Sequence, residues 1–143
     1  MKENLLVSAC LVGKNTKYNG GNNLTSEIES LKDKYNFILV CPEVMGGLSI
    51  PRNPSEIRNG KVYDNINNDV SDFFYRGADA ALKLVKEHQI TKALLKDGSP
   101  SCGSRRIYDG TFTGNKISGK GITAQILEEN HIKPVSYTHL RAH

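Results

Sequence analysis

The sequence has no tryptophan, only four phenylalanines and three cysteines, and no run of apolar residues near the length of a membrane helix. A spanning helix needs about 20 consecutive apolar residues, so no membrane partner is expected. The three cysteines stand at positions 10, 41 and 102. An odd number at such wide spacing is not a disulfide framework, and scattered cysteines in a cytoplasmic chain are more often buried, catalytic or metal-binding. There is no Cys-x-x-Cys, which excludes a zinc ribbon and the tight spacing of ferredoxin clusters. Charge of one sign is also scarce: the net +4 comes from 19 basic against 15 acidic residues, dispersed along the chain. Binding to a nucleic acid polymer calls for a clustered basic stripe, and none is present. At 143 residues the chain can bury one real core and not two comfortable ones.

What is present is a pattern around the cysteines. Leu5-Leu6-Val7-Ser8-Ala9 leads to Cys10, Phe37-Ile38-Leu39-Val40 leads to Cys41, and Ala93-Leu94-Leu95-Lys96 leads through Asp97-Gly98-Ser99-Pro100-Ser101 to Cys102. Short apolar runs bounded by Gly and Pro read as buried strands of a parallel sheet. Parallel strands end on one edge, where open α/β folds bind ligands, so the three thiols are expected to converge there. Val7-Ser8-Ala9-Cys10 also looks like a lipoprotein cleavage site. The apolar stretch before it is only Leu5 to Val7, short of the roughly 7–15 residues of a signal core, so a first strand near 4–10 is the better reading.

Along the chain, a Gly/Asn-rich loop over 13–23 precedes a helix capped by Thr25, with Ile28, Leu31 and Tyr35 on one face. A second strand is expected over 37–41, then a long irregular stretch over 42–67 with a possible hairpin around Gly60. The longest helix is expected over 68–89, where Val70, Phe73, Phe74, Gly77, Ala81, Leu84 and Val85 follow helical spacing. A strand over 92–96, a Gly-rich stretch over 98–121, a helix over 123–129 and a short strand over 133–135 complete the order. Alternating strands and helices predict a three-layer α/β fold with a mostly parallel, Rossmann-like sheet in a single domain over residues 1–135. Residues 136–143 lack periodicity and resemble translated adapter read-through, so they are read as a non-native tail.

Several groups can carry chemistry. Three thiolates leave one coordination position open, on a catalytic zinc or on the fourth iron of a 4Fe–4S cluster. Glu43 follows Cys41-Pro42 and is a candidate general base. Ser99 and Ser101 flank Pro100 and can donate hydrogen bonds to a sulfur or to substrate. Gly46-Gly47 permits close approach of backbone to a ligand, and Arg52 can bind an anion or a planar base. Gly119-Lys120-Gly121 precedes a helix and can cradle an anion, although the full dinucleotide fingerprint is missing.

Ser8-Ala9-Cys10-Leu11-Val12-Gly13, Cys41-Pro42-Glu43, Gly46-Gly47-Leu48, Pro51-Arg52, Ser99-Pro100-Ser101-Cys102-Gly103, Tyr108-Asp109-Gly110-Thr111-Phe112 and Gly119-Lys120-Gly121 occur in that order. Over about residues 4–135 this set resembles the thiouracil desulfidase family. The resemblance implies a 4Fe–4S cluster held by Cys10, Cys41 and Cys102, with one iron not bound by protein. It implies Glu43 and Ser101 as catalytic groups, and Ser8, Gly47, Arg52 and Ser99 are the candidate substrate-binding residues. The reaction would be non-redox, C=S to C=O with sulfide released, on a small thiolated base. Where many relatives read Arg-Tyr-Asp-Gly, this chain has Lys17-Tyr18-Asn19-Gly20, which bears on a local contact and not on the cluster. Two other readings stay open from the residues alone: a cluster or zinc protein that senses or docks, and a metal-free nucleotide-binding module.

Overall fold

The computed structural model describes residues 2–135. The tail read as non-native lies outside the described residues. The first strand, β1 (Glu3–Ser8), alternates strictly: Leu5 and Val7 face one side of the sheet and Leu6 the other, as the twofold repeat of a strand requires. It pairs in parallel with β2 (Tyr35–Val40) on one side and with a later strand, β5 (Lys92–Leu94), on the other. A last short strand, β8 (Lys133–Pro134), extends the sheet to the order β2-β1-β5-β8, parallel throughout.

Both faces are covered, which gives the expected three layers. Helix α1 (Glu27–Leu31) buries Ile28 and Leu31 against Leu5, Val7 and Tyr35. On the other face, Ala81 and Val85 of α3 (Ser71–Glu87) and Leu127 of α4 (Ile122–Glu129) pack on Leu6, Val40 and Ala93. Asp72 in the first turn of α3 and Lys86 in its last complement the helix dipole. This helix starts three residues later than its periodicity predicts. The chain before it is tied into turns instead: Asp64 Oδ1 accepts from the amides of Ile66 and Asn68, and Asp69 Oδ1 accepts from that of Ser71.

The strands are shorter than their apolar runs, and the difference shapes the site. Ala9–Val12 forms a turn of 3₁₀ helix, closed by Gly13 in the left-handed region (φ 91°), so Cys10 sits on that turn and not on the strand. After Val40 the chain enters a one-turn helix, α2 (Pro42–Met45), with Pro42 at its first position, where a missing N–H costs nothing. The hairpin around Gly60 is present as β3 (Ser55–Arg58) and β4 (Lys61–Asp64). Its two-residue turn has Asn59 and Gly60 both at positive φ, as a turn matched to strand twist demands. The stretch over 98–121, read as loop, contains a second hairpin, β6 (Arg106–Tyr108) with β7 (Lys116–Ser118). Its strands have three residues each, too short to show a repeat in the sequence.

Candidate functional site

A cavity of about 490 Å³ opens at the C-terminal edge of the parallel sheet, and all three cysteines line it. Cys10 comes from the turn after β1, Cys41 from the residue after β2, and Cys102 from the loop after β5. The thiols are free. Burial pushes the Cys102 thiol up to about 12, and the hydroxyls of Ser8 and Ser101 offset only part of this. Burial also raises Cys10, against a hydrogen bond from Asn23 Nδ2 to its Sγ at 3.3 Å. A charge on Cys41 disfavours ionisation of both, so the three thiols feel one another.

Such a set resists ionisation alone and gains from a cation that binds thiolate, because binding then releases the protons. Among the described residues, no three Cys, His, Asp or Glu side chains converge tightly enough to hold one metal ion. The arrangement therefore does not fit a single zinc. A cluster presents a separate iron to each thiolate, and three thiolates spread around one cavity fit that wider demand.

Glu43 stands on the first turn of α2, between a cation and a hydroxyl. Its Oε1 accepts from Arg52 Nε at 3.0 Å, and its Oε2 accepts from Ser101 Oγ at 2.9 Å. The Arg52 side chain is 7% exposed and that of Glu43 15%. The other Arg52 donors go to the carbonyls of Thr16 (2.8 Å) and Ser49 (3.2 Å). Arg52 lines the cavity, yet its guanidinium is committed to holding the Glu43 carboxylate and two loops.

The Ser99-Pro100-Ser101 segment is also built from the backbone upward. Ser99 Oγ accepts from the amides of Ser101 (3.1 Å) and Cys102 (3.0 Å), which closes the loop and sets the direction of the thiol. Ser101 is 2% exposed, and its Oγ lies 3.7 Å from Cys102 Sγ as well as beside Glu43. Ser8 Oγ accepts from the amide of Lys96 at 2.9 Å, which ties the end of β1 to the end of β5.

Two glycine motifs act differently from the sequence expectation. Gly47 is not among the residues lining the cavity; it sits at φ 110° against the Phe73 ring. Its neighbour Gly46 lets α2 meet α3: a Cβ there would lie 1.9 Å from the Phe73 carbonyl oxygen. Gly121 makes the same kind of approach to Ser101, where a Cβ would come within 2.5 Å of the Ser101 carbonyl carbon. The helix N-terminus after it has no amides free for an anion at these positions, because Ile122 N donates to Pro100 O and Ala124 N to Ser101 O. These glycines serve packing.

The cavity has a second wall that the pattern of cysteines did not announce. Tyr108, Phe112 and Lys116, from the β6–β7 hairpin, line it, as do Asn23, Lys96 and Asp97. Lys96 follows an apolar run and Asn23 lies in a polar loop, so neither carries a sequence signal beyond the loop itself. The Tyr108–Phe112 motif was visible, without an indication of what it faces.

A family model for 2-thiouracil desulfurase matches residues 5–138 of the chain. An uncharacterised protein of Bacillus subtilis, YbbK, is 38% identical over 146 residues, covering 95% of this chain and 97% of that protein. A solved structure described as a 4Fe-4S-dependent thiouracil desulfidase, TudS, superposes with a TM-score of 0.90 at 39% identity, over 99% of this chain and 95% of that one. On the family match and the extent of these alignments, the chain belongs to the 2-thiouracil desulfurase family of enzymes.

Proposed function

We propose that the protein is a 4Fe–4S-dependent desulfidase that hydrolyses the thiocarbonyl of a small thiolated pyrimidine, with Cys10, Cys41 and Cys102 each holding one iron and the fourth iron left for the substrate. The observation that carries this reading is the convergence of three free thiols on one cavity together with a carboxylate held by Arg52 and Ser101. When bound, the cluster supplies a thiophilic Lewis acid for the substrate sulfur.

The chain supplies the rest. Glu43, fixed on one side by Arg52, takes a proton from water as it attacks the thiocarbonyl carbon. Ser101 Oγ lies within reach of both Glu43 Oε2 and Cys102 Sγ, so it can carry a proton from the carboxyl toward the departing sulfur. The C–S bond breaks as C=O forms, water provides the oxygen, and sulfide leaves; no net electrons are exchanged. Ser8 and Ser99 act through the backbone they tie, Ser8 beside Cys102 and Ser99 beneath Ser101. Arg52 positions the base. The natural setting is a reducing, cytoplasmic one, which suits free thiols. Among the described residues no helix is long and apolar enough to cross a membrane.

The test is anaerobic reconstitution followed by incubation with 2-thiouracil in ¹⁸O-water, without any reductant. Uracil carrying ¹⁸O and an equal amount of sulfide is the expected result. A brown, iron-loaded protein that releases no sulfide from any thiolated base would overturn the reading. So would turnover that depends stoichiometrically on an added reductant.

A further inference from the structure

The chemistry above makes no use of the β6–β7 wall, although Tyr108, Phe112 and Lys116 face the same cavity. The loop that carries Phe112 is held from outside itself. Glu56, on β3 of the other hairpin, is 9% exposed, and its Oε1 accepts from the amides of both Gly110 (2.9 Å) and Phe112 (3.1 Å). Phe112 is thereby fixed at φ 58°, a conformation that bulky residues rarely adopt, and Gly110 at φ 93°. Contact between the hairpins is close: a Cβ on Gly110 would lie 2.3 Å from Arg58 Cγ and 2.8 Å from the Ile57 carbonyl oxygen. Asp109 braces the loop internally, accepting from the Thr111 amide and from Asn115 Nδ2, both at 2.9 Å. Lys116 Nζ lies 5.3 Å from the centroid of the Tyr108 ring. A buried carboxylate used to pin a surface loop is costly unless the loop's position matters.

We propose that Glu56 is a positioning residue for substrate recognition: it locks the Gly110–Phe112 loop so that Phe112, with Tyr108, offers an aromatic face that selects a planar heteroaromatic thiocarbonyl over an open-chain thioamide. The inference rests on the desulfidase reading for the identity of the reacting group, and it adds what the cavity selects. A heteroaromatic ring gains offset stacking on such a face, and an open-chain thioamide gains little.

The variants Glu56→Ala, Glu56→Gln and Phe112→Leu separate the parts. Both amides use one oxygen of Glu56, so the carbonyl oxygen of Gln can keep both bonds while the charge is lost. Each protein is compared with wild type at equal iron content by three readouts: calorimetric binding of uracil, steady-state rates with 2-thiouracil and with thioacetamide, and hydrogen exchange of the peptide spanning 109–115. For Glu56→Ala we expect about tenfold weaker uracil binding, a similar rise in KM for 2-thiouracil, and kcat within threefold. Preference over thioacetamide should fall by the same factor, and exchange over 109–115 should become fast. Glu56→Gln should restore all of these. Phe112→Leu should repeat the binding loss with exchange unchanged.

Fast exchange with unchanged uracil affinity in Glu56→Ala overturns the proposal, as does a Gln variant as weak as Ala with the loop still protected. If Glu56→Ala does not fold, Phe112→Leu decides, and an unchanged uracil affinity there overturns it. Wild-type protein that binds uracil but releases no sulfide defeats the desulfidase reading and leaves the ring wall supported. Sulfide release with no measurable uracil binding defeats the ring wall alone.

Discussion

At the sheet edge the cavity is lined by sulfur, hydroxyl and carboxylate groups on a buried, cross-braced backbone, whereas at the hairpins it is lined by aromatic rings and an ammonium on strands that reach into solvent. Ser8 and Ser101 are 2% exposed and Cys102 5%. On β7 every residue is exposed, Ile117 by 45%. Desolvation strengthens electrostatic interactions, so groups that make and break bonds belong at the first wall. The second wall lies outside the main core, and its residues can change without disturbing the sheet. The division suggests that chemistry is set by the parallel sheet and choice of substrate by the hairpins.

The comparison is broken most severely by removing a thiol. Under the proposed reading, Ala at Cys10, Cys41 or Cys102 leaves one iron without its ligand, and no fourth cysteine exists to substitute. Each variant should retain little or no iron and sulfide after anaerobic reconstitution and should show no turnover. Wild-type iron content in all three would separate the thiols from any cluster. Glu43→Gln comes next. It keeps the size and loses the base, and should lower kcat by about 10²–10⁴-fold with iron content unchanged. An unchanged kcat would leave Glu43 a packing residue of the Arg52 network.

The same contrast explains what could be read in the sequence. Each core strand announces itself as a short apolar run, and α3 through Phe74, Gly77, Ala78, Ala81 and Val85 at helical spacing. The cysteines were legible as a set because each follows a strand, and strand ends in a parallel sheet meet. The reading erred where local geometry departs from the run. Cys10 belongs to a 3₁₀ turn because the chain must bend back at Gly13, and the α3 start is displaced by Asp64 and Asp69 turns. Gly46 and Gly121 looked like ligand cradles, since the freedom a ligand requires and the freedom a close backbone crossing requires leave the same residue. The role of Arg52 could not be read, because its partners Glu43, Thr16 and Ser49 meet only in three dimensions. Glu56 was missed for that reason too: its bonds cross 54 and 56 residues of chain.

A smaller effect should separate tight crossings beneath the first wall from slack turns in the second. At Gly77 a Cβ would lie 1.9 Å from the Pro42 carbonyl oxygen, so α2 and α3 must part for Gly77→Ala to fold. We expect a loss of about 3 kcal/mol in urea unfolding, the upper range of overpacking, and a lowered kcat because Glu43 rides on α2. At Gly60, in the β3–β4 turn, a Cβ would meet no atom within 4 Å, and only the φ of 77° opposes substitution. Gly60→Ala should cost about 1 kcal/mol and leave kcat alone. Equal costs at the two sites would deny the contrast.

The finest test concerns Asp97, which joins the two walls. It follows β5, and its Oδ1 accepts from the amides of Arg105 (3.3 Å) and Arg106 (3.2 Å), at the start of β6. Burial pushes its carboxyl up. The hydrogen bonds from Arg106, Arg105 and Gly98, with the Lys96 charge, outweigh that and hold it below the usual carboxylate value. A folded pKa below the unfolded one means the unfolded chain binds the proton more readily, so stability rises with pH through this window. The contribution is therefore complete above the unfolded value near 4 and is lost as pH falls through the folded value. Asp97→Asn retains an acceptor oxygen and removes the charge. At pH 7 it should cost about 1 kcal/mol, the scale of a net hydrogen bond. Urea unfolding of both proteins from pH 7 to pH 3 should show that gap closing below about pH 4, with the Asn variant less sensitive to acid. A gap that persists unchanged to pH 3 would show that the carboxylate charge does not hold the hairpin to the sheet edge.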